Sequence, residues 1–335
     1  MGIIVSVVCP IYNEEKYISK CIDSILAQDY PKDNMEVLFV DGMSTDATQE
    51  IVQSYSQQYS FIRLLLNPNK TVPYAMNKGI NESKGEIIIR LDAHAAYATN
   101  YISVLVKQLQ ELDADNVGAP CKTDVLNKNK KSLAIREVLS NRFGVGNSQF
   151  RLGVDKIMEV DTVPFGCWKK DTFEKFGFFD ERLTRNQDME LNKRILRNGG
   201  KIFLIPDTYS IYYARETYKS VAKNAYLNGI WNILTIFFTG EKDSLSLRHF
   251  IPLIFVSSVI LPLFFIPMWM PILVISLVSL CSYVLLFSFL CLTLALKKKL
   301  SFFCLIRAFI SLHVPYGIGS LVGIIRGLKT RLQRK

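Results

Sequence analysis

The stretch EIIIRLDAHAAY, residues 86–97, begins as a run of β-forming apolar residues and then becomes polar. Arg90 is the one charged residue inside the apolar run, and Asp92 and His94 follow it. A run this apolar predicts a strand covered on both faces, which is typical of a parallel sheet. Ligands of open α/β sheets bind beyond the carboxyl ends of the strands, so Asp92 and His94 become candidates for a site.

Three more apolar runs precede this stretch. They are IIVSVVC (3–9), MEVLFV (35–40) and FIRLLL (61–66). The segments between the runs carry apolar residues at three- and four-residue spacing, which indicates helices. The resulting βαβαβαβ order predicts a Rossmann-like, mainly parallel sheet with helices on both faces.

Charge and motif content exclude several classes of function. The formal net charge is +10, but from His249 onward there are nine Lys and Arg residues and no Asp or Glu. The excess therefore belongs to an apolar tail, which favours anionic lipid rather than nucleic acid as the partner. The seven cysteines form no C-x-x-C pair and there are three histidines, so reduced thiols are expected rather than a Cys/His zinc site. No glycine-rich phosphate-binding motif occurs.

The C-terminal third predicts a membrane hairpin. Residues 250–268 and 272–296 are uncharged, and about 20 apolar residues suffice to cross a bilayer as a helix. The turn PMWMP would place Trp269 at the far interface, and the three lysines at 297–299 would mark the return to the cytosol. The N-terminus lacks the features of a signal peptide and is predicted to be a strand.

Residues 300–325 are also apolar, but Arg307, Pro315 and several glycines interrupt the segment. A third span would carry the basic end of the chain outward, so we expect an interfacial or re-entrant segment. The predicted organisation is an α/β domain at 1–217, an amphipathic juxtamembrane segment at 218–248 and a membrane domain at 249–335. The protein would thus be a multi-pass membrane protein, with the α/β domain in the cytosol.

Four ordered motifs carry a family resemblance. They are CPIYNEE, LFVDGMSTDAT, AMNKGINESKGEIIIRLDAH and RNQDMELNKRILRNGGKI. Together, over roughly residues 3–212, the chain resembles glycosyltransferase family 2, the inverting nucleotide-sugar enzymes of the GT-A fold. The DAH form, the motif HVPYGIGSLVG and the terminal membrane segments are similar to the succinoglycan-type exopolysaccharide branch.

The resemblance implies a nucleotide pocket. Pro10 and Tyr12 would shape it, with Tyr12 stacking on uracil, since every base has a π face. Asp41 would accept the proton of uracil N3, and Glu14 would contact the ribose. Asp92 would contact both the ribose and a metal ion.

The resemblance also implies the catalytic chemistry. His94 stands where the family has the second aspartate of Asp-x-Asp, so Asp92 and His94 would hold Mn²⁺ or Mg²⁺ against a diphosphate. Asp188 would be the general base for the acceptor hydroxyl. Trp168 would stack on the acceptor sugar.

The expected reaction is inverting transfer from a UDP-sugar to a lipid-diphosphate-linked saccharide, in the synthesis of an extracellular or capsular polysaccharide. Departures leave alternatives open. Gln187 replaces a family carboxylate, and Met43 stands where many relatives have a second aspartate. Asn224 and Ile230 stand at the Gln and Arg places of the processive synthases, which argues against a long-chain synthase. A polyprenyl-phosphate sugar transferase and a non-catalytic nucleotide-sugar-binding membrane protein are the two alternatives. Asp41 could also be a simple turn former, and Asp92 and His94 loop polar groups.

Overall fold

The computed structural model describes residues 4–241, 246–267 and 269–333. The chain folds into two compact units. The first, here called the α/β unit, comprises Met1–Lys122 and Gln149–Tyr213. The second, the helical unit, comprises Thr123–Ser148 and Ala214–Lys335. The segment Thr123–Ser148 thus groups with the C-terminal helices, whereas the sequence boundaries of 1–217, 218–248 and 249–335 remain a prediction.

The α/β unit contains the strands and most of the shorter helices. Its strands are β1 (Val5–Ile11), β2 (Met35–Asp41), β3 (Ile62–Leu66), β4 (Ile87–Arg90), β5 (Ala95–Tyr97), β6 (Asn116–Gly118), β7 (Cys121–Asp124), which crosses the unit boundary, β8 (Met158–Glu159), β9 (Cys167–Lys169), β10 (Ile202–Leu204) and β11 (Ser210–Tyr213). Its helices are α1 (Ile18–Leu26), α2 (Thr48–Gln58), α3 (Val72–Glu82), α4 (Tyr101–Glu111), α7 (Gln149–Leu152), α8 (Asp171–Phe176) and α9 (Gln187–Arg197).

The central sheet has eight strands in the order β3-β2-β1-β4-β9-β6-β10-β8. The first four strands in this order are parallel, as the βαβ pattern predicts. Strand β9 enters between β4 and β6 and is antiparallel to both, so the sheet is mixed. A second sheet of three strands has the order β5-β11-β7. The fold is a GT-A-like α/β domain, as predicted.

Helices bury both faces of the central sheet. Alternate residues of β1 enter two separate apolar clusters: Val7 packs in the cluster that includes Ile22 of α1, and Val8 packs in the one that includes Met76 of α3. Strand residues point alternately to the two faces, so each face of β1 gains its own cover. This double burial fixes the register in which the strand ends line up, because a slip of one residue would exchange the faces.

The helical unit is built from the remaining helices. They are α5 (Lys130–Leu139), α6 (Arg142–Val145), α10 (Tyr218–Thr239), α11 (Ile251–Phe265), α12 (Leu273–Lys298) and α13 (Phe302–Gln333). In the described chain three helical stretches are long and apolar enough to cross a membrane: Leu247–Phe265, Met270–Lys298 and Phe302–Arg331. The three long apolar helices indicate association with a membrane.

Helices α11 and α12 form the predicted antiparallel pair. The hydroxyl of Ser276 donates to the carbonyl of Val259 at 2.8 Å, and the rings of Phe255 and Tyr283 stack with centroids 4.4 Å apart. Most of the large side chains on both helices are exposed, as expected for surfaces that face lipid. Met268 of the predicted turn lies outside the described residues.

The expected segment at 300–325 is part of α13, one continuous helix of 32 residues with Pro315 inside it. This continuity does not fit a re-entrant segment, while an interfacial position stays a prediction. The glycines of α13 serve close packing. A Cβ added to Gly319 would lie 2.1 Å from the carbonyl oxygen of Tyr226 in α10, and one added to Gly323 would lie 2.8 Å from that of Ile230. Small residues at four-residue spacing let two helix backbones approach closely. Helices α10 and α13 therefore run side by side in the same direction.

Candidate active site

The parallel register places the polar strand ends at one edge of the central sheet. Ile11, the last residue of β1, pairs with Asp41 at the end of β2, and Val8 pairs with Arg90 at the end of β4. The residues that follow these strands, including Tyr12 and Asp92, therefore leave the sheet at the same edge. This is the edge at which open α/β sheets bind ligands.

Asp41 is fully buried and organises the loop after β2. One carboxylate oxygen accepts from the backbone N–H of Ser44 at 2.8 Å and from Nε2 of Gln49 at 2.6 Å, and the other accepts from the Ser44 hydroxyl at 2.5 Å. A carboxylate offers about four lone-pair positions, so these three bonds leave capacity for one further donor. Asp41 thus acts as a turn former in this structure, and its carboxylate has no exposed surface.

The loop after β1 is tied to the loop after β2. Asn13, in the left-handed region at φ 55°, donates its backbone N–H to Ser44, and its side-chain oxygen accepts from the backbone N–H of Thr45 at 2.8 Å. Tyr12, one residue earlier, is 49% exposed, while Pro10 is half-buried. An exposed ring on a fixed loop is suited to stacking, because little conformational entropy remains to be lost on binding.

Asp92 is held by Arg90. The guanidinium Nε lies 2.9 Å from Oδ1 of Asp92 and Nη2 lies 3.3 Å from Oδ2, a contact to both oxygens. Residues i and i+2 of a strand face the same side, which brings the two side chains together. The backbone N–H of Asp92 donates to the hydroxyl of Tyr97 at 2.7 Å, which fixes the turn between β4 and β5.

Arg90 is the functional candidate that the sequence reasoning missed. Its side chain is 8% exposed, and Nη1 is buried without a hydrogen-bond partner among the described residues. Burial opposes a charge on the guanidinium, but the attraction of Asp92 and then Asp188 outweighs it and raises the pKa of Arg90 above its ordinary value. Arg90 therefore lies in the field of both predicted acidic residues. The signal in the sequence was a single charge inside an otherwise apolar strand.

His94 and Glu14 form a second pair at this edge. Nδ1 of His94 lies 3.2 Å from a carboxylate oxygen of Glu14, and the imidazole meets the ring of Tyr212 edge-on at 5.3 Å between centroids. A carboxylate on one ring nitrogen is the usual way in which a metal-ligating histidine is oriented. Glu14, predicted to contact a ribose, thus contacts His94 in this structure.

Asp188 lies in the first turn of α9, a helix that the sequence predicted. Asn186, just before the helix, is left-handed at φ 63°, and Oδ1 of Asp188 accepts from the backbone N–H of Met189 at 2.9 Å. Gln187 is buried, and its side-chain oxygen has no hydrogen-bond partner among the described residues. Asp188 is half-buried, so its carboxylate can meet both protein and solvent.

The prediction that Trp168 stacks on an acceptor sugar is wrong. Trp168 lies in β9 and is 1% exposed, with its ring packed against those of Phe173 and Phe179. Because β9 is inserted between two strands of the central sheet, this side chain belongs to the core on one face of that sheet. A ring with no exposed surface has none to offer a sugar.

The donor set at the edge is small for a divalent ion. Within the described ranges, no three His, Cys, Asp or Glu side chains converge in a manner that could hold a metal ion. Asp92 and His94 supply one carboxylate and one imidazole. Both oxygens of Asp92 contact Arg90, and Mg²⁺ is commonly held by one or two carboxylates together with substrate phosphates, so an ion at this pair would need phosphate oxygens as further ligands.

Known proteins match this chain in both sequence and fold. The sequence pattern of "Glycosyl transferase family 2" matches residues 6–168. Glycosyltransferase GlyG of Streptococcus pneumoniae serotype 4 is 32% identical over 232 residues, which cover 64% of this chain and 72% of GlyG. The chain belongs to glycosyltransferase family 2, and it is a glycosyltransferase of glycan biosynthesis.

Two further relatives have names that describe a process. The dolichyl N-acetyl-alpha-D-glucosaminyl phosphate 3-beta-D-2,3-diacetamido-2,3-dideoxy-beta-D-glucuronosyltransferase of Methanococcus voltae is 29% identical over 224 residues, 65% of this chain and 70% of that protein. The succinoglycan biosynthesis protein ExoA of Rhizobium meliloti is 27% identical over 220 residues, 62% of this chain and 63% of ExoA. The resemblance to the succinoglycan-type branch is thereby confirmed at the level of a distant relative.

A solved structure shares the fold. S. aureus TarS 1–349 in complex with UDP superposes with a TM-score of 0.50 and 19% sequence identity, covering 95% of this chain and 90% of that one. At this identity the likeness establishes the fold alone. It agrees with the GT-A-like architecture described above.

Proposed function

We propose that this glycosyltransferase moves a sugar from a UDP-sugar to a lipid-diphosphate-linked saccharide, with inversion at the anomeric carbon. The observation that carries the proposal is the single sheet edge at which Tyr12, Asp41 and Asp92 lie at or just after the ends of three parallel strands, with Arg90 in the field of both Asp92 and Asp188. An aromatic ring, a hydrogen-bond acceptor and two further carboxylates are what a nucleotide sugar and a deprotonated acceptor require.

The names of similar proteins support a UDP-linked donor and a lipid-linked acceptor. The TarS structure holds UDP, the M. voltae enzyme is named for a dolichyl-linked sugar phosphate, and ExoA for succinoglycan biosynthesis. The three long apolar helices would keep this chain at the membrane. Tethering raises the local concentration of an acceptor that never leaves the bilayer. We propose that the α/β unit faces the cytosol, where nucleotide sugars are made.

In the proposed reaction Asp188 acts as the general base. An acceptor hydroxyl attacks the anomeric carbon, its proton passes to the carboxylate of Asp188, and the bond from that carbon to the UDP oxygen breaks. Tyr12 would stack on the uracil, and Asp41, which is buried under Ser44, would accept from the uracil N–H after the loop at Ser44 moves aside. Attack from the face opposite the leaving group converts an α-linked donor into a β-glycoside.

Asp92 and His94 would hold Mn²⁺ or Mg²⁺ together with the diphosphate. When bound, the ion would stabilise the negative charge that develops on the departing diphosphate. Arg90 keeps the Asp92 carboxylate at the strand end, and Glu14 keeps the imidazole of His94 oriented.

Transfer can be measured directly on membranes that contain the protein. They are incubated with a panel of radiolabelled UDP-sugars and lipid is extracted, with membranes of the Asp188→Asn variant as the control. Label in a lipid-linked saccharide that depends on Asp188 supports the proposal. Label in a monosaccharyl phosphate lipid would identify a polyprenyl-phosphate sugar transferase instead, and bound but untransferred donor would identify a binding protein.

A further inference from the structure

Arg307 is an unusual residue for its surroundings. It is the only Lys, Arg, Asp or Glu between Leu300 and Ile325, a stretch that includes most of the apolar part of α13. An arginine in the centre of a membrane helix costs about 3 kcal/mol on insertion scales, and charges near helix ends are retained where they meet the headgroup region or a ligand. The guanidinium of Arg307 lies over the ring of Tyr218, 4.8 Å from its centroid.

Three helices of the helical unit begin near this residue. Tyr218 is the first residue of α10, and its hydroxyl donates to the carbonyl of Cys304 in the first turn of α13 at 3.3 Å. Lys130 is the first residue of α5, and its charge and that of Arg307 both act on the Cys304 thiol. The starts of α5 and α13 are held together by the apolar cluster that contains Ala134 and Leu305.

The charges at this junction have the opposite sign to the one that helix starts favour. None of α5, α10 and α13 has an acidic residue in its first turn. Lys130 and Lys131 open α5, and Lys219 is the second residue of α10. The N-terminal end of a helix carries partial positive charge and favours anions, so basic side chains there add to the same field. Asn129 and Thr217 already cap α5 and α10, and the Glu216 carboxylate lies in the field of Lys131, so the attraction for an anion comes mainly from Arg307 and Lys130.

Apolar side chains beside Arg307 indicate what kind of anion fits. Phe303 is 81% exposed and Ile310 is 44% exposed, and with Arg307 they lie at i, i+4 and i+7 on one face of α13. A guanidinium stacked on a ring keeps its N–H groups in its own plane, where they can donate to phosphate oxygens. A ligand that contacts both the guanidinium and these apolar side chains has a phosphate group and a hydrocarbon chain.

We propose that Arg307, Lys130 and the ring of Tyr218 form a binding site for the diphosphate of a lipid, with Phe303 and Ile310 against its hydrocarbon chain. The inference rests on the proposed function only in taking this lipid to be the carrier of the acceptor saccharide. Bulk anionic phospholipid and free pyrophosphate share the phosphate chemistry. The experiment must therefore separate them from a polyprenyl diphosphate.

Native mass spectrometry of the full chain in detergent counts bound lipid directly. The protein is titrated with a polyprenyl diphosphate, with phosphatidylglycerol or with inorganic pyrophosphate. We expect Arg307→Gln and Lys130→Gln each to weaken binding of the polyprenyl diphosphate about tenfold, which corresponds to ~1.4 kcal/mol. Arg307→Lys should bind more tightly than Arg307→Gln but less tightly than the wild type, because it keeps the charge and loses the planar guanidinium. Arg326→Gln is the matched control, because Arg326 is exposed on the same helix about 28 Å away.

Equal binding by Arg307→Gln and the wild type, or equal loss in Arg326→Gln, would overturn the site. The site would also be overturned if Arg307→Gln lost as much binding of phosphatidylglycerol as of the polyprenyl diphosphate. Competition between pyrophosphate and the polyprenyl diphosphate at matched concentrations would overturn it as well. Binding of labelled UDP-sugar by Arg307→Gln shows that the α/β unit is folded. The outcomes separate the two ideas: a wild type that binds the diphosphate lipid through Arg307 but transfers no sugar refutes the proposed function alone.

Discussion

Replacing Arg90 by methionine should weaken both the α/β unit and the catalytic edge. Methionine keeps much of the length of arginine but removes the charge and both contacts to Asp92. The side chains of the pair are 8% and 17% exposed, so the pair is largely shielded from water. Removing one partner of a buried ion pair costs about 3–5 kcal/mol, and the partial exposure of Asp92 places this pair near about 3 kcal/mol.

The matched control is Arg182→Met. Arg182 also pairs with an aspartate two residues away, at 2.6 Å from Asp180, but its side chain is 52% exposed. Exposed pairs contribute about 0–1 kcal/mol. In a domain of 150–250 residues each kcal/mol shifts the melting temperature by about 2–4 °C, so Arg90→Met should melt about 6–12 °C lower and Arg182→Met within about 4 °C of the wild type.

Tryptophan fluorescence of the purified full chain during heating measures this difference. Asp92→Asn and the Arg90→Met/Asp92→Asn double variant complete a cycle, in which the double variant should lose less than the sum of the single losses. Equal melting of Arg90→Met and Arg182→Met would refute the argument. Purely additive losses would show that Arg90 does not act through Asp92.

Three further outcomes follow from the site. Asp188→Asn should retain UDP-sugar binding and lose about two to four orders of magnitude in transfer rate; unchanged turnover would exclude it as the base. Glu14→Gln should weaken Mn²⁺ binding in the presence of UDP about 10–100-fold by releasing His94, measured by electron paramagnetic resonance of free Mn²⁺, whereas Glu15→Gln should bind like the wild type. Trp168→Phe should lower the melting temperature and leave the KM for the acceptor unchanged, and a raised KM would restore Trp168 to the acceptor site.

The sequence predicts the first half of the α/β unit well because local signals determine it. Strands β1–β4 are apolar runs separated by helical spacing, and parallel pairing then places Asp41 and Asp92 at one edge. Strand β9 has three residues, too few to show any periodicity, and it joins β4 and β6 through pairing that is distant in sequence. The burial of Trp168 follows from that pairing, so its apparent suitability for a sugar was misleading.

The sequence also did not predict which side chains contact one another. Arg90 was visible as a break in an apolar run, but nothing in the spacing alone distinguishes a buried partner of Asp92 from an exposed strand end. The same holds for Glu14, whose contact with His94 joins motifs 80 positions apart. The continuity of the helix through residues 300–325 was not predicted, because Pro315 and the glycines are typical helix breakers. Packing against α10 decides otherwise, since Gly319 and Gly323 are needed for that contact.

The close contact between α10 and α13 limits where this chain could be truncated to give a water-soluble enzyme. A protein shortened before Phe302 would leave the backbone of α10 around Tyr226 and Ile230 without its cover. Cutting earlier, before Tyr218, would also strip the partners of α5, which lies between two parts of the catalytic sequence. Either truncation would remove apolar helices and also expose surfaces that they cover. The intact chain in mild detergent or in lipid discs is therefore the better starting material for crystallisation.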